Sequence, residues 1–224
     1  MKKVFAYLAV LLLLVAASVV VNDWRVEREL EENPDLLAGG EGGTPRDDRD
    51  YAMPPPGPLG RPMFVSELAW MLRERMALDV LEDFADEGAA LEAYNERVAA
   101  YNQRAVEIEY RAGELLTAEK RVDAEKGRIV ADALDEGLRL AMPDEWRGNA
   151  AAARIWTAQK FLKLLGFYAG RVTGRTSATT EMAIRLYLER TGDAWSGTVD
   201  DALAGRLRND YLASRTPERV GFDD

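Results

Sequence analysis

The chain has 224 residues, with 29 Lys and Arg against 39 Asp and Glu, a formal charge of −10 and a pI of about 4.8. Such an acidic chain repels phosphate backbones, so nucleic acid is not an expected partner. Cysteine and histidine are both absent. That excludes disulfides, thiolate nucleophiles, histidine-assisted serine or cysteine catalysis and histidine-ligated zinc.

Lys2 and Lys3 precede an apolar run over 4–21, interrupted only by Tyr7 and Ser18 and ended by Asn22 and Asp23. A positive flank followed by an apolar stretch is what export machinery recognises. Two readings are open for 1–23. As a cleaved signal peptide, 4–15 is the hydrophobic region and Ala16-Ala17-Ser18 offers the cleavage site. As a signal anchor, the run of 18 residues lies at the short end of what spans a bilayer. The run continues through Val19, Val20 and Val21, past the cleavage site, which favours the anchor. Both readings keep the lysines inside and carry the rest across. The expected location is the periplasmic side of the cytoplasmic membrane, or the periplasm if the signal is cleaved.

Residues 24–62 read as a linker. The stretch 31–62 holds seven of the nine prolines, together with Gly39, Gly40, Gly42, Gly43 and the charged run Arg46-Asp47-Asp48-Arg49-Asp50. It buries too little apolar surface to offset its ordering entropy, so it is predicted to be flexible, and stiffer at 54–58.

Residues 63–142 read as a helical stalk, with no proline from Phe64 until Pro143. Leu91, Tyr94, Val98, Tyr101, Ala105, Ile108, Ala112 and Leu115 alternate steps of three and four, an a/d seam. Leu91, Tyr94, Val98 and Ile108 are expected to be buried in it. Asp86-Glu87-Gly88 separates a first helix, 64–85, from the longer one. The stalk is either a homo-oligomeric coiled coil or a monomeric hairpin in which Leu68, Leu72, Met76, Val80 and Leu81 pack on the later helix.

After Met142-Pro143-Asp144, Ile155, Ala158, Leu162 and Leu165 share one helix face. Gly166 suits a left-handed C-cap, after which Phe167 and Tyr168 fold back on the core. A turn at Val172-Thr173-Gly174 leads to a second helix, 181–190, capped by Thr179 or Thr180 with Ala183, Ile184 and Tyr187 inward. Ser196-Gly197-Thr198 leads to a third, with Val199, Leu203 and Leu207 apolar. Three short helices around one core are predicted.

Ile155, Ala158, Gln159, Leu162, Leu165, Gly166, Phe167, Tyr168 and Gly170 together match the opening pattern of the peptidoglycan-binding domain family. The segment 150–209 resembles that three-helix module, which occurs on many wall hydrolases, and 210–224 is left as a tail. Thr173, Ser177, Ala178, Leu188 and Ser196 stand where the family has Asp, Gly, Pro, Gln and Asp. The resemblance implies peptidoglycan as a partner, with a groove at the first turn and the start of helix two: Tyr168, Thr173, Arg175 and Thr180. Arg171, Arg175 and Arg185 suit muropeptide carboxylates, because guanidinium matches carboxylate geometry. Trp156 is either a sugar-stacking platform or packed against the stalk.

The expectation is an all-α, non-catalytic envelope protein tethering the membrane to peptidoglycan. The alternative is a scaffold whose C-terminal domain makes contacts with other envelope proteins. No nucleophile–base pair is evident, so neither an enzyme nor a cofactor is expected. A reporter active only outside the cytoplasm, fused after Asp224, should give signal. Signal instead from a reporter active only in the cytoplasm would overturn this topology.

Overall fold

The computed structural model describes residues 51–222. The expected membrane segment 1–23 and the linker from 24 to 50 lie outside the described residues. Among the described residues there are seven helices and no strand: α1 Val65–Glu82, α2 Gly88–Asn102, α3 Ala112–Ala141, α4 Asp144–Arg147, α5 Ala150–Leu164, α6 Ala178–Thr191 and α7 Asp201–Arg215. This part of the chain is therefore all-α. No helix among the described residues is long and apolar enough to cross a membrane. The described chain forms two compact units, one of 51–78, Asn95–Ile129 and 218–222, the other of Asp79–Tyr94 and Val130–Pro217.

In the first unit, helix α1 starts where Glu67 can hold it. The Glu67 carboxylate accepts from the Phe64 N–H at 2.9 Å and pairs bidentately with Arg61 at 2.8 Å for both bonds. One orphan donor of the first turn is thereby satisfied. The Arg61 and Phe64 hydrogen bonds hold this carboxyl below its usual range, against the opposing effect of burial, the largest single influence. Leu68, Leu72, Tyr101, Leu115 and Val122 are buried in this unit.

Residues 51–62 depart from the predicted flexible linker. Pro54 is buried. The Gly57 N–H donates to the Gln103 carbonyl at 2.7 Å and the Met63 N–H to the Glu109 carbonyl at 2.8 Å. Arg104 donates from Nε to the Pro54 carbonyl at 2.8 Å and lies 5.8 Å from the centre of the Trp70 ring. The two segments thus run side by side in the same direction. Prolines withhold donors, but Gly57 and Met63 supply the amides that the pairing needs.

That pairing also corrects the predicted seam. Helix α2 ends at Asn102, so Ala105 and Ile108 lie in a connection and the seam through 91–115 is interrupted. Leu91, Tyr94, Val98 and Ile108 are half-buried. The carbonyls of Gln103 and Glu109 go to the proline-rich segment instead of to a helix. Glu107 takes a left-handed φ of 49°, which no helix tolerates. The predicted tail is also docked in part. Val220 and Phe222 are buried, Phe222 stacks on Tyr110 with ring centres 6.3 Å apart, and Arg75 donates to the Phe222 carbonyl at 2.5 Å.

In the second unit, α5 packs on α6 and α7, and the short α4 packs on α5. Asn149, Ser177 and Asp200 cap α5, α6 and α7, each accepting from the N–H three residues on. The cap of α6 is therefore Ser177, not Thr179 or Thr180. Gly166 takes a φ of 82° and ends α5 as expected. Leu162, Ile184, Leu203 and Leu207 are buried, whereas Ile155 and Leu165 are half-buried. The core of the three C-terminal helices also takes in Phe84, whose ring lies 6.2 Å from Tyr211, itself 5.5 Å from Phe161. Asp83 accepts from the Tyr211 hydroxyl at 2.7 Å and pairs with Arg215. Burial, then Asp83, raises the Tyr211 pKa strongly.

Two of the three glycines in helix α3, Gly127 and Gly137, have opposite surroundings. A Cβ on Gly137 would lie 2.6 Å from Phe84 Cδ2, whereas one on Gly127 meets open space. Gly127→Ala should stabilise by about 0.5–1 kcal/mol through helix propensity. Gly137→Ala should destabilise, because an overpacking cost of roughly 1–3 kcal/mol exceeds that gain. Thermal melts of the two variants should shift in opposite directions. Equal upward shifts would mean that Phe84 does not fill the face of Gly137.

Candidate functional site

The candidate site lies in the second unit, on the turn from α5 to α6. Its organiser is Gln159, which is fully buried. Gln159 Oε1 accepts from the N–H groups of Thr173 at 2.8 Å and Gly174 at 3.1 Å. Gln159 Nε2 donates to the Arg175 carbonyl and to Thr180 Oγ1, both at 2.9 Å. Backbone amides only donate, so Oε1 must face them, and the orientation of the side-chain amide is fixed. All four hydrogen-bonding positions of the amide are used.

The surrounding hydroxyls extend this network. Thr180 Oγ1 accepts from Gln159 and shares a hydrogen bond of 3.0 Å with Ser177 Oγ, in which either hydroxyl can donate. Ser177 Oγ also accepts from the Thr180 N–H at 3.2 Å, which starts α6. The Tyr168 hydroxyl donates to the Arg171 carbonyl at 2.8 Å. Gly174 takes a φ of 66°, which favours glycine, and a Cβ there would lie 3.0 Å from the Trp146 ring, which would have to shift by a few tenths of an ångström.

The four residues singled out in the sequence are therefore brought to one turn, in two different states. Tyr168 and Thr180 are buried, and their hydroxyls are spent within the turn. They shape it and have little surface to offer a ligand. Thr173 and Arg175 are exposed. Arg171 and Arg185 are exposed as well, and among the described residues neither they nor Arg175 has an ion-pair partner. The stretch 150–190 carries seven basic and two acidic residues in a chain of net charge −10, two of the basic ones, Arg154 and Lys160, being paired with Asp201 and Asp86.

Phe167 packs edge-on against Tyr187, with ring centres 5.5 Å apart. The Tyr187 hydroxyl donates to Asp210 at 2.8 Å, and burial followed by that carboxylate raises its pKa to about 12. Trp156 is buried, which settles its place as a packing residue. Sequence reasoning missed Trp195, half-buried in the turn before α7. Its signal was an aromatic residue between two helices, outside every helical apolar stripe.

No protein-family model matches the chain, and no curated protein or solved structure matches it.

Replacing Gln159 by Leu should cost roughly 2–4 kcal/mol, because it strands two amides, a carbonyl and a hydroxyl. Hydrogen exchange at the Thr173 and Gly174 amides should accelerate together. If both stay protected in the variant, something other than Gln159 holds the turn.

Proposed function

We propose that this chain is a non-catalytic envelope protein that holds peptidoglycan through its second compact unit and is tethered to the membrane by its N-terminal segment. The observation that carries the reading is the turn built on Gln159. It displays Thr173 and Arg175; among the described residues Arg175, like the exposed Arg171 in the same turn and the exposed Arg185 on α6, has no ion-pair partner, which suits these guanidiniums to the carboxylates of a muropeptide stem. The helix-one pattern from Ile155 to Gly170 supports it by its likeness to the peptidoglycan-binding domain family, with α5, α6 and α7 in the order of that module's three helices.

A scaffold role is the second reading. Met182 and Leu186 favour it, being 59% and 48% exposed and one turn apart on α6, where a partner protein would cover them.

The full chain should sediment with isolated sacculi at low salt, with retention falling as salt screens the arginines. A double variant, Arg171→Ala with Arg175→Ala, should lose about 3- to 10-fold in retention, while its melting changes little because exposed side chains contribute within about 0.5 kcal/mol. If wild-type protein stays in the supernatant at low salt, wall tethering fails and the scaffold reading takes its place.

A further inference from the structure

Unit two also carries an open cleft of about 240 Å³, lined by Ala151, Arg154, Ile155, Thr176, Trp195, Gly197, Thr198 and Val199. Its floor and walls come from the first turns of α5 and from the two turns that precede α6 and α7. The lining has three parts with distinct chemistry. Trp195 and Ile155 are half-buried and apolar. Thr176 and Thr198 bring hydroxyls. Arg154 pairs through Nε with the exposed Asp201 Oδ1 at 2.6 Å, which leaves its two Nη groups as donors.

An indole beside hydroxyls and a guanidinium matches a pyranose ring, which has one apolar C–H face and an equatorial rim of hydroxyl and amide groups. Drug-sized ligands occupy roughly 300–1,000 Å³, so this cleft holds one ring of a longer chain. Gly197 takes a φ of 91° in the Trp195 turn, a conformation that favours glycine.

We infer that this cleft is a saccharide subsite in which one pyranose ring stacks on Trp195, with Arg154, Thr176 and Thr198 donating to its substituents. The inference deepens the wall-binding reading and rests on it for the identity of the polymer. The stacking claim itself concerns any sugar ring with an exposed C–H face.

The test is calorimetry of the full chain, in a detergent without a sugar headgroup, with a β-1,4-linked N-acetylglucosamine trisaccharide as the probe. Wild-type protein should show saturable binding at millimolar sugar. Trp195→Ala should weaken it at least about tenfold, the usual cost of truncating an aromatic anchor. Trp195→Phe, which keeps an aromatic face, should stay within about threefold. Ala151→Gln, at an exposed helix position on the cleft wall, narrows the cleft while keeping the Trp195 side chain and should weaken binding like Trp195→Ala. It guards against misfolding of the tryptophan variants. No binding by wild type, or equal binding by wild type, Trp195→Ala and Ala151→Gln, overturns the subsite. Sacculus sedimentation separates the two readings. Wild type that binds the trisaccharide but not sacculi ends the wall reading and leaves the subsite standing. Sacculi that retain wild type and Trp195→Ala equally, with no trisaccharide binding, end the subsite and leave the wall reading standing.

Discussion

The surface of the α5–α6 turn depends on one buried amide. Gln159 receives two backbone N–H groups and gives its own protons to a carbonyl and a hydroxyl. A primary amide has two donors and two acceptor positions, and here none is left over. The consequence is directional. The backbone of Thr173, Gly174 and Arg175 is pulled inward, so the side chains of Thr173 and Arg175 are turned to solvent. An apolar residue at 159 would fill the same volume but offer no reason for the turn to adopt one conformation. Leaving a buried polar group unmade costs more than making it contributes, so the network selects a single arrangement.

In the first unit the corresponding constraint is on backbone carbonyls. Residues 103–109 contain no helix-closing hydrogen bonds of their own at Gln103 and Glu109, because those oxygens accept from Gly57 and Met63. A proline-rich segment is poorly equipped for pairing, since each proline lacks a donor. The spacing solves this by placing non-proline amides at 57 and 63, six residues apart, opposite carbonyls six residues apart. Arg104 closes the upper end by donating to Pro54 and by lying over Trp70. The stretch from 51 to 63 is thus part of a folded unit, despite a composition that reads as linker.

This contrast explains what the sequence disclosed and what it did not. Helix α5, its left-handed cap at Gly166 and the burial of Leu162, Ile184, Leu203 and Leu207 follow from local rules, namely periodicity and cap chemistry. The break after Asn102 has no local signal, because 103–109 holds neither glycine nor proline. It arises from residues some 46 positions away, through the Gly57 and Met63 bonds. The predicted stripe on α5 was too narrow for a related reason. Trp156, Gln159, Lys160 and Phe161 are buried alongside Ala158 and Leu162, so α5 is covered around most of its circumference. Lys160 is tolerated there because its ammonium meets Asp86 at 2.8 Å and lies 5.2 Å from the centre of the Phe84 ring. A stripe read from one helix cannot anticipate cover supplied by 79–94. In the candidate site, bringing the four residues to one turn was legible, but their burial was not, since Tyr168 and Thr180 are buried by hydrogen bonds that no pattern of residue types specifies.

Charge and shape meet at a single peptide bond. Arg175 belongs to the turn held by Gln159, and Thr176, the next residue, lines the Trp195 cleft. Their Cα atoms are necessarily about 3.8 Å apart. Ile155 and Gln159 likewise stand one turn apart on α5, about 6 Å along its axis, the first lining the cleft and the second fixing the turn. On the proposed reading, a sugar ring against Trp195 would place its substituents within the reach of a long arginine side chain. Neither feature alone discriminates well. A half-buried indole accepts many apolar faces, and exposed arginines attract any anion while being screened by salt. On that reading the two features together would favour ligands that carry both an apolar ring face and a carboxylate. The backbone of Arg175 is placed by the saturated amide at Gln159, so specificity would depend in part on a buried residue that never touches the ligand.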